Sequence, residues 1–194
     1  MAQTSPAIQE EPIPYRFTVK EWHRLGEAGF FDEEKRLELL DGEIIVMSSI
    51  GNRHAAAVYN LTDFFGEKNL RRYLIGVGNP MEADNFSEPL PDFMLLSRSQ
   101  KVARRHPFTH DAFLIVEVAD SSLAHDRNRK LRKYAKSGVA EYWIVNLQED
   151  VIEIYRSPHG EEYLDLSVAR DGDIIAAQAF PDTAVPVSEI IPAR

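Results

Sequence analysis

The run Phe113-Leu114-Ile115-Val116-Glu117-Val118 constrains this chain more than any other stretch. Its apolar residues read as a buried strand, yet Glu117 sits inside it. An unpaired carboxylate there would cost several kcal/mol, so Glu117 must take a proton, meet a cation or hold a metal. Two more charged residues share an apolar setting. Asp92 follows Pro91 at the head of the run Asp92-Phe93-Met94-Leu95-Leu96, and Lys130 lies on a segment of helical pattern. Two carboxylates converging near an ammonium would suit a divalent metal and phosphoryl chemistry.

The chain has 194 residues, 44% of them hydrophobic, enough for one domain with an ordinary core. Residues 1–14 read as a flexible tail and 15–194 as the single domain. The tail is acidic, carries prolines and lacks an apolar block, so it is not a secretory signal. There is no cysteine, which excludes disulfides and thiolate-ligated zinc. No apolar stretch approaches the roughly 20 residues that span a bilayer. These features together predict a cytoplasmic protein without a membrane partner.

A net charge of −9 argues against non-specific coating of nucleic acid. The basic residues are nevertheless gathered in two stretches: Arg98, Lys101, Arg104 and Arg105, then Arg127, Arg129, Lys130, Arg132, Lys133 and Lys136. Such runs are ordinarily solvated faces, but these two flank the candidate carboxylates.

Local patterns place the elements. Thr18 with Glu21 makes a capping box, predicting a helix over about 18–26. Strand-like runs 36–40 and 43–47 flank Asp41-Gly42, a strong hairpin signal because both turn positions need positive φ. Apolar spacing predicts a helix over 52–70. Strands are expected at 73–78, 90–96 and 111–118, with a polar, basic loop at 97–110. A helix from Ser122 to Ser137 should stop at Gly138. Strands follow at 141–145 and 151–155, then short β structure around an Asp171-Gly172 turn and a half-turn at 188–191. Helices interleaved with strands point to an α/β or α+β fold.

If strands 90–96 and 111–118 pair antiparallel, Asp92 and Glu117 meet. Lys130 lies four residues after Asp126 on one helix face and borders the stripe of Leu131 and Tyr134. The bland alternative is a buried Glu117–Lys130 ion pair with Asp92 capping a turn after Pro91. Glu38 reads equally as an exposed cross-strand partner. His54 reads either as a phosphate contact or as a helix cap. Glu43 fits a hairpin surface position, and Tyr134 and Trp143 fit the core.

The ordered set Arg36-x-Glu38-Leu39-x-Asp41-Gly42-Glu43, His54, Pro91-Asp92, Val116-Glu117-Val118, Asp126-Arg127-x-x-Lys130 and Gly138-Val139-x-Glu141-Tyr142-Trp143 resembles the Uma-type restriction endonuclease family. That family lies in the PD-(D/E)XK nuclease superfamily, and the resemblance covers about residues 15–192. It implies a restriction-endonuclease-like α/β (α+β) fold, with a central mixed β-sheet flanked by helices and an N-terminal β-hairpin. It implies that Asp92 and Glu117 bind Mg²⁺ or Mn²⁺, with the Val118 carbonyl as a further ligand. Lys130 would be the catalytic lysine, moved onto the following helix, since Ala119 stands at its usual place two residues after the acid. Glu38 would be the additional acid. His54 and Arg127 are the candidate substrate contacts, although Asp126 and Arg127 read more simply as residues that orient Lys130. The implied activity is metal-dependent hydrolysis of DNA phosphodiesters by a homodimer. The alternatives are a non-catalytic nucleic-acid- or protein-binding module, and a metal site acting on RNA or a nucleotide.

Overall fold

A computed structural model describes residues 13–32, 34–99 and 105–194. Most of the expected tail (1–12), together with Lys101 and Arg104 of the first basic stretch, lies outside the described residues. Helix α1 (Val19–Glu27) opens with the expected capping box: Thr18 Oγ1 accepts from the Glu21 N–H at 3.2 Å, and Glu21 accepts from the Thr18 N–H at 2.9 Å. Strands β1 (Leu37–Leu40) and β2 (Glu43–Val46) form the hairpin. Its turn residues have φ of 52° at Asp41 and 78° at Gly42. Glycine is required here twice over, because a Cβ on Gly42 would sit 2.5 Å from the Cβ of Arg16.

Six strands make the central sheet: β3 (Leu74–Gly76), β4 (Phe93–Leu96), β5 (Ala112–Ala119), β6 (Glu141–Asn146), β7 (Val151–His159) and β8 (Glu162–Ala169), hydrogen-bonded in that order. Pairing is antiparallel throughout except between β5 and β6, so the sheet is mixed. The parallel pair follows from the crossover through helix, which cannot be made by a tight turn. Strands β9 (Ile174–Ala176) and β10 (Ala184–Pro186) form a separate small ribbon. The C-terminal β structure is longer than the sequence suggested, since β8 is a full edge strand paired to an extended β7.

Alternation along β5 sorts its side chains between two layers. Leu114, Val116 and Val118 join the core under α2 (Asn52–Glu67), with Ala57, Leu61, Phe65 and Trp143. Helix α5 (Val187–Ile190) seals the same side through Val187 and Ile190. Leu61 and Phe65 are fully buried, a burial worth about 1.5–3 kcal/mol for each side chain. Ile115 and Ala119 face the opposite layer, with Leu123, Tyr134, Tyr142 and Ile144. Glu117 shares the parity of that second set.

The helical segment of this second layer is not one continuous α-helix. It comprises α3 (Leu123–His125), a π turn over Asp126–Lys130 and α4 (Leu131–Lys136). It ends at Gly138, φ 78°, where the Val139 N–H returns to the Tyr134 carbonyl at 3.0 Å. The loop between β4 and β5 carries a short 3₁₀ turn at Thr109–Asp111 where the sequence suggested no regular structure. No helix among the described residues is long and apolar enough to cross a membrane.

Candidate active site beside strand β5

Antiparallel pairing aligns Phe93 of β4 with Val116 of β5, which brings the preceding Asp92 alongside Glu117. Asp92 Oδ2 accepts the Val118 N–H at 2.9 Å, and Oδ1 meets His54 Nε2 at 3.1 Å and the Arg36 guanidinium at 4.0 Å. His54 thus orients Asp92 from the first turn of α2 instead of capping that helix. Glu117 Oε1 accepts from Lys130 Nζ at 3.0 Å and from the Tyr134 hydroxyl at 2.8 Å. Both bonds fall on Oε1, and Oε2 takes neither.

Glu38 is not an exposed strand residue. It is 1% exposed, and its carboxylate lies 3.2 Å from Lys130 Nζ. It also accepts from the Leu90 N–H at 3.2 Å and meets His125 Nε2 at 3.3 Å. Asp126 is 2% exposed and held by the Ser122 hydroxyl at 2.6 Å. Asp126 and Lys130, four residues apart and so on one side of the helical segment, both enter this layer. The π turn that carries them is of a kind that recurs at functional sites.

Arg36, Glu38, His54, Asp92, Glu117, His125, Asp126 and Lys130 line one cleft of about 380 Å³. Four buried carboxylates, with the exposed Asp120 beside them, therefore share it with one buried ammonium. Burial and repulsion from Asp92, Asp126 and Glu38 push the Glu117 carboxyl well above the ordinary range, against the pull of Lys130. Burial also raises Asp126, with Lys130 and Ser122 opposing it. Burial works against the charged form of Glu38 too, but Lys130, His125 and the Leu90 N–H outweigh it and hold that carboxyl at about 2. Lys130 is disfavoured by burial and rescued by the surrounding acids, led by Glu117 and Glu38, so it stays protonated. The cluster carries surplus negative charge that a proton or a cation must relieve.

Arg127 takes a different direction from its neighbours. Its guanidinium is bound by Glu153 at 2.6 Å and Glu149 at 3.4 Å, and it does not line the cleft. Much of the second basic stretch is likewise paired internally: Arg129 with Glu43 at 2.8 Å, Lys133 with Asp84 at 2.7 Å and Lys136 with Glu161 at 2.7 Å. Trp143 is fully buried core, and exposed Glu43 stays at the hairpin surface. The Val118 N–H is engaged by Asp92, on the same residue whose carbonyl was expected to face a metal. Sequence reasoning did not single out Arg36, His125 or the Tyr134 hydroxyl as parts of the site. Arg36 was accessible through its shared parity with Glu38. The other two depend on the turn of the helix.

Comparison with known proteins bears on the fold and the family. The Uma2 family model, described as "Putative restriction endonuclease", matches residues 19–188. No curated protein sequence matches the chain. Among solved structures, a "putative nuclease belonging to DUF820" from Anabaena variabilis is similar, with a TM-score of 0.70 at 14% identity over 90% of this chain and 97% of that one. At that identity the likeness establishes the fold. The match over residues 19–188 takes in every residue of the cleft, and the chain belongs to the Uma2 family.

Proposed function

We propose that this protein is a divalent-metal-dependent endonuclease that hydrolyses DNA phosphodiester bonds with water. One observation carries the reading: Asp92, Glu117, Glu38 and Lys130, from four separate segments, gather in a single open cleft. The donor set fits Mg²⁺ or Mn²⁺, because these hard ions prefer carboxylate oxygens and the cluster has negative charge to offer. Asp92 and Glu117 would hold the ion, with the Val118 carbonyl as a further ligand and Glu38 as an outer acid. When bound, the ion supplies Lewis acidity to the scissile phosphate and the attacking water.

The protein's own groups do the rest. Tyr134 and Lys130 fix Glu117 Oε1, leaving the second carboxylate oxygen to the cleft. His54 and the Val118 N–H orient Asp92, while His125 and Leu90 hold Glu38. Lys130, kept charged by its acidic neighbours, acts as an electrostatic stabiliser of the developing negative charge and not as a general base. His54 and Arg36 stand at the rim for a substrate phosphate, whereas Arg127 acts through the helix it anchors. By analogy with related nucleases the reading brings with it a homodimer, and the cysteine-free composition suits a reducing compartment such as the cytoplasm.

The second reading, a binding module without turnover, draws on Ala119 at the usual lysine position and on the net charge of −9. The Lys130–Glu117 pair at 3.0 Å is also what a structural ion pair would show. It is the presence of Glu38 and Asp92 in the same cleft that favours the enzyme, with the ammonium arriving from the helix instead. Nicking of supercoiled plasmid in Mg²⁺ or Mn²⁺ tests the proposal, with Asp92→Ala and Lys130→Ala as controls. Cleavage unchanged by both substitutions would refute it. Turnover of RNA or a nucleotide by the same preparation, without DNA nicking, would move the substrate and keep the site.

A further inference from the structure

Five glutamates are buried among the described residues: Glu38, Glu88, Glu117, Glu141 and Glu153. Four of them have a lysine or arginine within salt-bridge distance: Lys130 at 3.2 Å and 3.0 Å for Glu38 and Glu117, Arg156 at 2.6 Å for Glu141, and Arg127 at 2.6 Å for Glu153. Glu88 differs. It is 3% exposed, and among the described residues the side chains that meet its carboxylate are two histidines. His23 Nε2 lies 3.0 Å from Oε1 and 2.8 Å from Oε2, and His106 Nδ1 lies 3.1 Å from Oε2. One ligand atom from each of the three residues lies within 4.8 Å of the others.

We propose that His23, Glu88 and His106 form a second metal site, separate from the cleft and selective for a borderline divalent ion such as Zn²⁺. Two imidazole nitrogens and one carboxylate are the donors Zn²⁺ takes at about 2.0–2.2 Å, whereas Mg²⁺ prefers an all-oxygen shell. No lysine or arginine meets Glu88 among the described residues, and a divalent ion would offset the charge of the buried carboxylate. The half-exposed rings of His23 and His106 give the ion a path in and leave room for water to complete the shell. Glu82 lines the same cleft as both histidines and offers a further carboxylate.

The three ligands come from segments far apart in sequence. His23 lies on α1, Glu88 on the connection between β3 and β4, and His106 on the approach to β5. The Glu88 N–H also bonds the Leu39 carbonyl at 2.8 Å, next to Glu38 of the catalytic cleft. An ion at this site would staple α1 and both connections to the strand that presents Glu38. Its role is structural support, and the proposal stands whether or not the cleft cuts DNA.

Zn²⁺ binding to the tag-free full chain, measured by calorimetry in saturating Mg²⁺, tests the assignment, with Co²⁺ absorption in the visible as the spectroscopic counterpart. Wild-type protein and Asp92→Ala should each take one Zn²⁺. His23→Ala and His106→Ala should each weaken binding by at least about tenfold and bleach the Co²⁺ band. Glu88→Gln keeps the side-chain shape and should do the same, which covers the case of a histidine variant that folds poorly. Absence of Zn²⁺ binding in wild type, equal binding in the histidine variants, or its loss in Asp92→Ala would overturn the proposal.

Discussion

Glu117 and Glu153 occupy one cross-strand row of the sheet, with Ile144 between them on β6. Both are buried on the same face, and both are met by a cation from the same π turn, Lys130 for Glu117 and Arg127 for Glu153. Their surroundings differ. Glu153 has the Arg127 guanidinium, the Tyr155 hydroxyl at 2.7 Å and the Asn146 amide at 3.1 Å, and the second acid on that guanidinium is the exposed Glu149 at 3.4 Å. Burial alone would raise its carboxyl, but these partners pull it below the ordinary range. Glu117 shares its lysine with Glu38 and feels Asp92 and Asp126, so its carboxyl is pushed the other way. A buried ion pair that balances is architecture, and one left with surplus negative charge beside an opening is a cation site in waiting.

The sharpest way to break this contrast is activity. Glu117→Gln and Asp92→Ala should each lower plasmid nicking by roughly 10³-fold, whereas Glu153→Gln should leave it intact. Comparable losses in all three would erase the distinction. Next comes stability without metal. Lys130→Ala strips four acids of their ammonium and should destabilise by about 3–5 kcal/mol in urea denaturation. Arg127→Ala leaves Glu153 with its hydroxyl and amide partners and should lose about 1–3 kcal/mol. Divalent metal should restore part of the Lys130→Ala deficit and none of the Arg127→Ala one.

A third test is thermal shift. Mg²⁺ or Mn²⁺ at a hundredfold excess over its dissociation constant should stabilise the native protein by about 2.7 kcal/mol. Glu153→Gln should keep that gain and Asp92→Ala should lose it. The smallest effect is pH dependence, and its sign separates the two glutamates. The Glu117 carboxyl is raised on folding, so its contribution is present below the ordinary carboxyl range and lost as pH rises through its folded value. The Glu153 carboxyl is lowered, so its contribution is present above that range and lost as pH falls through its folded value. Denaturant midpoints against pH should lose the high-pH decline in Glu117→Gln and part of the low-pH decline in Glu153→Gln.

Much of this was legible in the chain. The capping box at Thr18 and the Asp41-Gly42 turn are local chemistry, decided by φ preferences and hydrogen bonds within a few residues. The antiparallel meeting of Asp92 with Glu117 followed from two apolar runs separated by a short polar stretch. The π turn did not follow, because a segment of helical periodicity gives no sign of one widened turn. That turn sends Lys130 and Arg127 to different glutamates. The length of β8 was hidden as well, since its exposed Leu164 and Leu166 give an edge strand little inward signal.

By itself, the order of residues determined which segments are apolar, where they turn, and that Glu117 could not stand in its strand without a proton, a cation or a metal. Those outcomes depend on neighbours in the chain and on the expense of dehydrating a carboxylate. Only the tertiary structure decided which cation each buried acid receives, that Glu38 joins the cleft, and that Glu88 meets two histidines where the other buried glutamates meet lysine or arginine. Charge balance in a protein interior is summed over distances in space, and no spacing along the sequence contains that sum.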